Sequence, residues 1–149
     1  MFTPKNILVP TDFSKYSDAA LKMAIDIAIT HNANIYLLHA IDDQMHRAVD
    51  YRISYEDIKQ IEKDSIIASK ERLRKQADDV VKSKKVKIIL DVKNGDPAEV
   101  ILKEQKAKKM DLIVIASHGR PGIVKYLMGS VATKVAKSAT CPVMLVKPK

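Results

Sequence analysis

Polar and glycine residues are concentrated in one segment near the C-terminal end of the chain, which contains three of its four glycines. Ser117 and His118 offer side-chain hydrogen-bond donors directly before Gly119. Nine residues then separate Gly119 from Gly129 and Ser130, where a helical pattern begins. Glycine lets a backbone approach a ligand closely, and the unpaired N–H groups of a helix start favour an anion. The segment therefore predicts a loop that binds the phosphates of a nucleotide.

Charge supports this interpretation, since Arg120 and Lys125 lie in the same segment. A second interpretation stays open, in which the glycines only turn the chain and Ser130 is an ordinary helix N-cap. Neither G-x-x-x-x-G-K-[ST] nor G-x-G-x-x-G is present. The residues alone thus leave a phosphate-binding loop and a plain connecting loop as competing hypotheses.

The elements that must position this loop follow from the hydrophobic pattern. Continuous apolar runs are typical of strands buried on both faces, and they occur at 5–10, 34–41, 86–92, 110–117 and 141–148. Helical patterns occur between them, at 14–33, 55–83, 96–109 and 129–140. Residues 42–55 carry no clear period and are interpreted as a loop. The alternation predicts one α/β domain over residues 1–149, with a mainly parallel open sheet and helices on both faces.

Helix starts are marked by residues that cap well. Ser14 or Ser17 can cap the first helix, and Asp96 precedes Pro97 at the start of the third. In doubly wound sheets ligands bind outside the carboxyl ends of the strands, where the strand order reverses. The segments that follow the first four strands are "PTDFS", "HAIDD", "KNGDP" and "ASHGRPG". We therefore expect the site at this edge of the sheet.

The composition of the chain bears on whether it binds nucleic acid or a membrane. The formal net charge of +8 comes mostly from residues 70–87. No aromatic residue interleaves this stretch, so it lacks the base-stacking surface of nucleic-acid binders and is expected to be a solvated helix face. No apolar run approaches the ~20 residues that cross a bilayer, and the start of the chain does not read as a signal peptide. The single cysteine, Cys141, fits a reducing compartment. We expect a cytoplasmic protein with no nucleic-acid or membrane partner.

The chain resembles the universal stress protein family over essentially its whole length. The stretches that carry the resemblance are "ILVPTDFS", "YLLHAID", "ASHGRPGIVKYLMGS" and "CPVMLVK". ATP-binding members carry G-x-x-G, nine residues, then G-[ST]. Here Gly119 and Gly129-Ser130 match the last two parts of that motif, and Ala116 stands at the first glycine. The resemblance implies the adenine nucleotide alpha hydrolase-like fold, an open parallel sheet with strand order 3-2-1-4-5.

The resemblance also implies a ligand, ATP or AMP, and a role for each matching residue. The residues along the adenosine would be Pro10, Thr11 and Asp12, with Asp12 accepting a hydrogen bond, and the backbone of Ala40 would meet the adenine edge. The ribose and phosphate side would be lined by Ala116, His118, Gly119 and Arg120. The phosphates would be held by Gly129, Ser130, Val131 and Thr133. Mg²⁺ or Mn²⁺ accompanying ATP would be held mainly by phosphate oxygens and water.

A homodimer is implied as well, through antiparallel pairing of the C-terminal strand, residues 142–147, with its copy. An unpaired apolar edge is otherwise an aggregation liability. The resemblance implies a stress-response or signalling module with at most slow hydrolysis, since no residue is evident that would position an attacking water.

Other functions stay open at this stage. The chain can be a ligand-free interaction module or a nucleotide-hydrolysing enzyme. An adenylating enzyme of related fold would carry S-G-G-x-D-S where this chain has "PTDFSK". A phosphoreceiver domain would need paired acids where only Asp12 is present. Asp12 can also be a plain helix cap, and His118 can be a general base, although no nucleophile with an orienting acid stands beside it. ATP and AMP both remain candidate ligands.

Overall fold

The computed structural model describes residues 1–42, 54–82, 85–119 and 128–147. One sheet carries the fold, with its strands in the order β3-β2-β1-β4-β5 and every neighbouring pair parallel. The strands are β1 (Asn6–Pro10), β2 (Asn34–Ile41), β3 (Lys87–Asn94), β4 (Leu112–Ala116) and β5 (Val143–Val146). The predicted fold class and strand order are therefore confirmed.

Helices cover both faces of the sheet. Those in the described ranges are α1 (Lys15–His31), α2 (Tyr55–Val81), α3 (Pro97–Ala107) and α4 (Ser130–Ser138). Ile7 and Val9 of β1 pack in a cluster with residues of α1 and α2, whereas Leu8 packs with residues of α3 and α4. Successive residues of a strand point to opposite faces, so two covered faces require an unbroken apolar run. This is why the central strands could be recognised from sequence.

The predicted helix starts are largely confirmed, and the ends are shorter than predicted. Ser14 is the N-cap of α1, because its hydroxyl accepts from the backbone N–H of Ser17. Asn32 ends α1 in a left-handed conformation with its N–H bonded to the Ala28 carbonyl. Asp96 caps α3 as predicted, with Pro97 as the first helical residue. Most of the loop expected at 42–55 lies outside the described residues.

The helix predicted at 55–83 is buried only along its second half. Leu73 and Ala77 are buried, whereas Ile61 is 41% exposed. No helix in the described ranges is long and apolar enough to cross a membrane.

The strand register creates an opening beside β1. β1 ends at Pro10, opposite Leu38, but β2 continues to Ile41 and there pairs only with β3. On the other side of β1, strand β4 ends at Ala116. Because β1 lies between β2 and β4, the chain leaves β1 and β4 toward opposite faces of the sheet at this point. The predicted site edge thus has a gap at the switch point of the sheet.

Gly95, after β3, anchors the far side of this opening. Its N–H donates to the carbonyl of Ile41 at 2.9 Å, and its φ of 140° lies in a region that residues other than glycine rarely adopt. A Cβ at this position would lie 3.0 Å from Cγ2 of Val100. Glycine is therefore required here by the conformation of the chain itself.

We expect Gly95→Ala to lower the free energy of unfolding by about 1–3 kcal/mol, because the added methyl group meets Val100 in a strained backbone conformation. Urea denaturation followed by circular dichroism measures this change. Gly119→Ala is the matched control, since among the described residues the new Cβ would meet only Asp12 Oδ2, at an ordinary 3.5 Å, and we expect a change within about 0.5 kcal/mol. Equal losses in the two variants would contradict the conformational explanation.

Candidate functional site

A cavity of about 270 Å³ lies at the switch point. It is lined by ten of the twelve predicted site residues: Pro10, Thr11, Asp12, Ala40, Ala116, His118, Gly119, Gly129, Ser130 and Val131. Arg120, like Lys125, lies outside the described residues. Thr133 is not among the lining residues, and its hydroxyl donates to the carbonyl of Gly129 at 2.9 Å.

Asp12 enters the cavity from the loop after β1 with one carboxylate oxygen already engaged. Oδ1 accepts from the backbone N–H of Ser14 at 2.9 Å and from the hydroxyl of Ser17 at 2.6 Å. Oδ2 faces the opposite loop, where a Cβ added to Gly119 would lie 3.5 Å away. Because Ser14 is the N-cap of α1, the alternative in which Asp12 is that cap is wrong.

Asp12 is held in its ionised form. Burial alone would raise the pKa of its carboxyl, but the hydrogen bonds from Ser14 and Ser17 outweigh burial and hold the pKa below its ordinary value. The cavity therefore contains a fixed negative acceptor, suited to the hydroxyl or amino group of a ligand.

Beyond Leu38, the end of β2 has no strand partner on the β1 side, which is the side of the cavity. Leu38 O accepts from Thr11 N on the β1 side, and Ile41 O accepts from Gly95 N on the β3 side. Backbone groups alternate in direction along a strand, so the N–H and C=O of Ala40 point toward β1. β1 has already ended at that level, and both groups face the space that Ala40 lines.

The two ends of the glycine-bearing loop between β4 and α4 are joined to each other. The N–H of Gly129 donates to the carbonyl of Ser117 at 2.7 Å, and a Cβ on Gly129 would lie 3.5 Å from that oxygen. Gly129 has φ −60° and is the N-cap of α4, with no side chain to cap it. Ser130 is therefore the first helical residue, and the interpretation of Ser130 as a plain N-cap is wrong.

His118 lines the cavity and carries an unsatisfied buried polar atom. Its Nδ1 is 2.8 Å from the hydroxyl of Ser117, which is itself buried. Its Nε2 is buried and has no hydrogen-bond partner in the described parts of the chain. Buried polar atoms are normally paired, so Nε2 of His118 lacks the partner that is expected for it.

Sequence reasoning missed the apolar wall of the cavity. Leu38, Ile101, Ile115 and Ala132 line it together with Pro97. These residues come from four separate elements and carry no local signal, because apolar residues in strands and helices predict only core. The "KNGDP" segment was a partial signal, since it ends at the Pro97 that begins α3.

Ala116, which stands at the first glycine of the family motif, is compatible with the cavity. It is the last residue of β4, pairs with Val146 and packs beside the core cluster of the α1 and α2 face. Within the described residues there is no group of three or more His, Cys, Asp or Glu side chains that could hold a metal ion.

These observations define an open doubly wound α/β protein with a small-molecule cleft at its switch point. The sequence profile of the universal stress protein family matches residues 3–147. The chain therefore belongs to the universal stress protein family.

Relatives and solved structures agree with this assignment. Two relatives come from Methanocaldococcus jannaschii. Universal stress protein MJ0531 is 35% identical, with 96% of this chain and 82% of the relative covered, and MJ0577 is 31% identical, with 97% and 96% covered. The solved structure of MJ0577 matches with a TM-score of 0.84 at 28% identity, covering 100% of this chain and 99% of that one. The structure of UspA from Lactobacillus plantarum matches with a TM-score of 0.80 at 26% identity, covering 96% and 97%.

We expect Asp12→Asn to flatten the acid dependence of stability. The folded-state pKa of Asp12 is lowered, so its ionised form stabilises the fold above the ordinary carboxyl pKa, and this contribution is lost as the pH falls through the lower folded value. The wild type should lose about 1 kcal/mol more than the variant between about pH 6 and pH 2.5. Urea midpoints across this range measure the difference.

Asp64→Asn removes a carboxylate from the exposed part of α2 and should follow the wild-type profile. A profile for Asp12→Asn that parallels the wild type would show that the Ser14 and Ser17 hydrogen bonds do not stabilise the charged form.

Proposed function

We propose that this universal stress protein binds an adenine nucleotide, ATP or AMP, in the cleft and acts as a stress-response or signalling module. The observation that carries the proposal is the cavity at the carboxyl ends of β1 and β4, where Asp12 places an ionised carboxylate whose Oδ2 faces the Gly119 loop. A ligand with a hydroxyl or amino group at that position would donate to this oxygen.

The β2 side of the cavity suits adenine. The outward N–H and C=O of Ala40 match the acceptor N1 and donor N6 of the adenine edge. The apolar wall formed by Leu38, Ile101 and Ile115 suits the faces of a planar base. Asp12 Oδ2 would accept a hydrogen bond from the ribose or the base. The volume of about 270 Å³ is slightly below the ~300–1,000 Å³ typical of small-molecule pockets, which fits a ligand whose phosphates extend outward.

The start of α4 suits the phosphates. Its first turn contains no acidic residue, and no side chain caps it. Ser130 is exposed and offers its hydroxyl beside the unpaired N–H groups of the first turn. A divalent cation bound with ATP, Mg²⁺ or Mn²⁺, would be held by phosphate oxygens and water, because the described residues provide no cluster of metal ligands.

Gly119 and Gly129 are best explained by the same ligand. Neither has the positive φ that requires glycine at Gly95, and a Cβ at either position would make only ordinary contacts at 3.5 Å. Nothing in the described parts of the chain therefore demands glycine at these two positions. Space for phosphate oxygens against the backbone supplies a reason.

Two structures of related fold were solved with nucleotides. One is a universal stress protein in complex with cAMP, with a TM-score of 0.69 at 22% identity. The other is the universal stress protein from Archaeoglobus fulgidus in complex with dAMP, with a TM-score of 0.57 at 19% identity. At these identities the likeness is one of fold, and it makes adenine nucleotides the first ligands to test.

Hydrolysis would be at most slow. His118 has one ring nitrogen beside the hydroxyl of Ser117, and the carboxylate of Asp12 is bound by Ser14 and Ser17. Neither group is arranged as a general base with an orienting partner. The protein is therefore proposed to be a binding module, and its cytoplasmic location stays a prediction from the single cysteine.

We expect nucleotide-stripped protein to bind ATP with Mg²⁺ at micromolar affinity, about −8 kcal/mol, in isothermal titration. Gly129→Val should weaken this affinity at least 10-fold, because the branched side chain would project between the 117–119 loop and the start of α4. The absence of binding heat up to millimolar ATP and AMP would overturn the proposal and leave the ligand-free interaction module as the function.

Gly129→Ala provides a graded control, since its Cβ fits at 3.5 Å from Ser117 O and should cost less affinity than valine. An unchanged circular dichroism spectrum and urea midpoint would show that the loss in Gly129→Val is local to the site. Equal ATP affinity in all three proteins would contradict the phosphate role of this position.

We also propose that β5 pairs with its copy in a homodimer. Pro142 O accepts from Ile113 N, and Val146 O accepts from Ser117 N. The backbone groups of Val143 and Leu145 therefore point away from β4, toward the open edge of the sheet. β5 is the last strand of the sheet, and Met144 is 38% exposed beside that edge. Antiparallel pairing with a second copy would satisfy these groups and cover the apolar edge.

We expect the wild type to sediment as a dimer at micromolar concentration and Met144→Lys to shift it toward monomer, because two added charges would face each other near the two-fold axis. Analytical ultracentrifugation measures the shift, with Met144→Leu as the apolar control. A monomeric wild type would remove the dimer proposal without affecting the nucleotide proposal.

A further inference from the structure

A chain of hydrogen bonds holds the Asp12 loop from behind. The hydroxyl of Thr11 accepts from the N–H of Phe13 at 3.0 Å and donates to Oε1 of Gln76, on α2, at 2.9 Å. Nε2 of Gln76 then donates to Oδ1 of Asp18, on α1, at 2.7 Å. A carboxylate only accepts, so the Asp18 contact fixes the orientation of the glutamine amide. The hydroxyl proton of Thr11 is therefore directed to Gln76 and away from the cleft.

Gln76 occupies a position where an apolar residue would be expected. It is 8% exposed and lies in the buried stripe of α2, next to Ala77 and one turn from Leu73. Thr11 is likewise buried, with 6% exposed. A buried amide contributes little more to stability than a well-packed apolar side chain, but it allows only one arrangement of its partners. Its presence indicates that the arrangement of the loop matters.

The loop that Gln76 holds is itself in an uncommon conformation. Phe13 has φ 66°, and its ring packs between the imidazole of His39, with 4.3 Å between the ring centroids, and the guanidinium of Arg72, 4.1 Å from the ring centroid. Asp12 lies between Thr11 and Phe13, the two residues that this network fixes. The direction of the Asp12 carboxylate therefore depends on contacts made by α2.

We propose that Gln76 is a positioning residue for the nucleotide cleft, which fixes the Thr11–Phe13 turn so that Asp12 presents Oδ2 to the ligand. This inference rests on the proposed function. Gln76 is not among the residues that line the cavity, so it acts only through the loop. Without it, the turn at Phe13 loses the acceptor for the Thr11 hydroxyl, and the backbone on either side of Asp12 is held less firmly, although the Ser14 and Ser17 contacts of the carboxylate remain.

We expect Gln76→Leu, which keeps the volume of the side chain but removes both hydrogen bonds, to weaken ATP binding about 10-fold in isothermal titration. In an Asp12→Ala background the same substitution should cause no further loss, because the carboxylate through which Gln76 acts is gone. An unchanged affinity in the wild-type background, or the same 10-fold loss in both backgrounds, would overturn the positioning role.

Gln105→Leu is the matched control for a purely structural effect. Gln105 is 4% exposed and exchanges hydrogen bonds with Thr140, another buried glutamine paired with a threonine, but neither residue lines the cavity. This variant should lose stability in urea and keep the ATP affinity of the wild type. Weaker ATP binding in Gln105→Leu would show that any damage to a buried pair has this effect.

A reversal of the hydrogen-bond direction tests the network without removing it. Gln76→Glu alone keeps an acceptor for Thr11 but places a carboxylate against Asp18, so it should weaken ATP binding as Gln76→Leu does. The double variant Gln76→Glu with Asp18→Asn restores the hydrogen bond between positions 76 and 18 in the reverse direction, with position 18 as the donor and position 76 as the acceptor. ATP affinity should then return to within 3-fold of the wild type. Failure of this rescue in a folded double variant would overturn the proposal.

Failure of the proposed function would be visible separately. If the wild type itself does not bind ATP or AMP, the cleft is not a nucleotide site and the positioning role falls with it. If the wild type binds and the Gln76 variants bind equally well, only the positioning role is lost.

Discussion

The position of β1 between β2 and β4 is the constraint on which the site depends. The chain leaves β1 and β4 toward opposite faces of the sheet. The loop after β1 and the loop after β4 therefore separate, and a gap opens at the carboxyl end of the sheet. β2 extends beyond the end of β1 and leaves backbone groups of Ala40 without a strand partner on that side. The end of β2 at Ala40, the Asp12 loop and the glycine loop all line this gap, and this strand order is what brings them together.

The two sides of the gap are built differently. The β1 side is held by side-chain hydrogen bonds, with Asp12 fixed by Ser14 and Ser17 and the turn behind it fixed by Gln76. The β4 side depends on backbone, where Gly129 bonds to Ser117 and the start of α4 is left uncapped. A rigid acceptor therefore faces a set of backbone donors, which corresponds to the polarity of an adenosine joined to phosphates.

The glycines are of two kinds, because the backbone conformation requires glycine at Gly95 but not at Gly119 or Gly129. Gly95 is required by its own backbone, because its φ is positive and a Cβ would press on Val100. Within the described residues, Gly119 and Gly129 have room for a Cβ and no positive φ, so their own conformation does not require glycine. Both kinds of glycine look alike in a sequence, and the difference appears only when backbone angles and neighbours are known.

The strands and the helix starts could be predicted from the sequence, because they depend on residues that are neighbours in the chain. Unbroken apolar runs marked β1 and β4 as strands covered on both faces, and Asp96 with Pro97 marked the start of α3. The motif predicted that His118, Gly119 and Gly129 share one site, and all three line the cavity. The tertiary structure alone decided that Ile101 of α3 forms part of the cavity wall, that the Thr11 hydroxyl turns toward Gln76, and that Gly129 rather than Ser130 caps α4. These features depend on contacts between residues far apart in the chain, or on backbone angles, and hydrophobic periodicity carries no information about either.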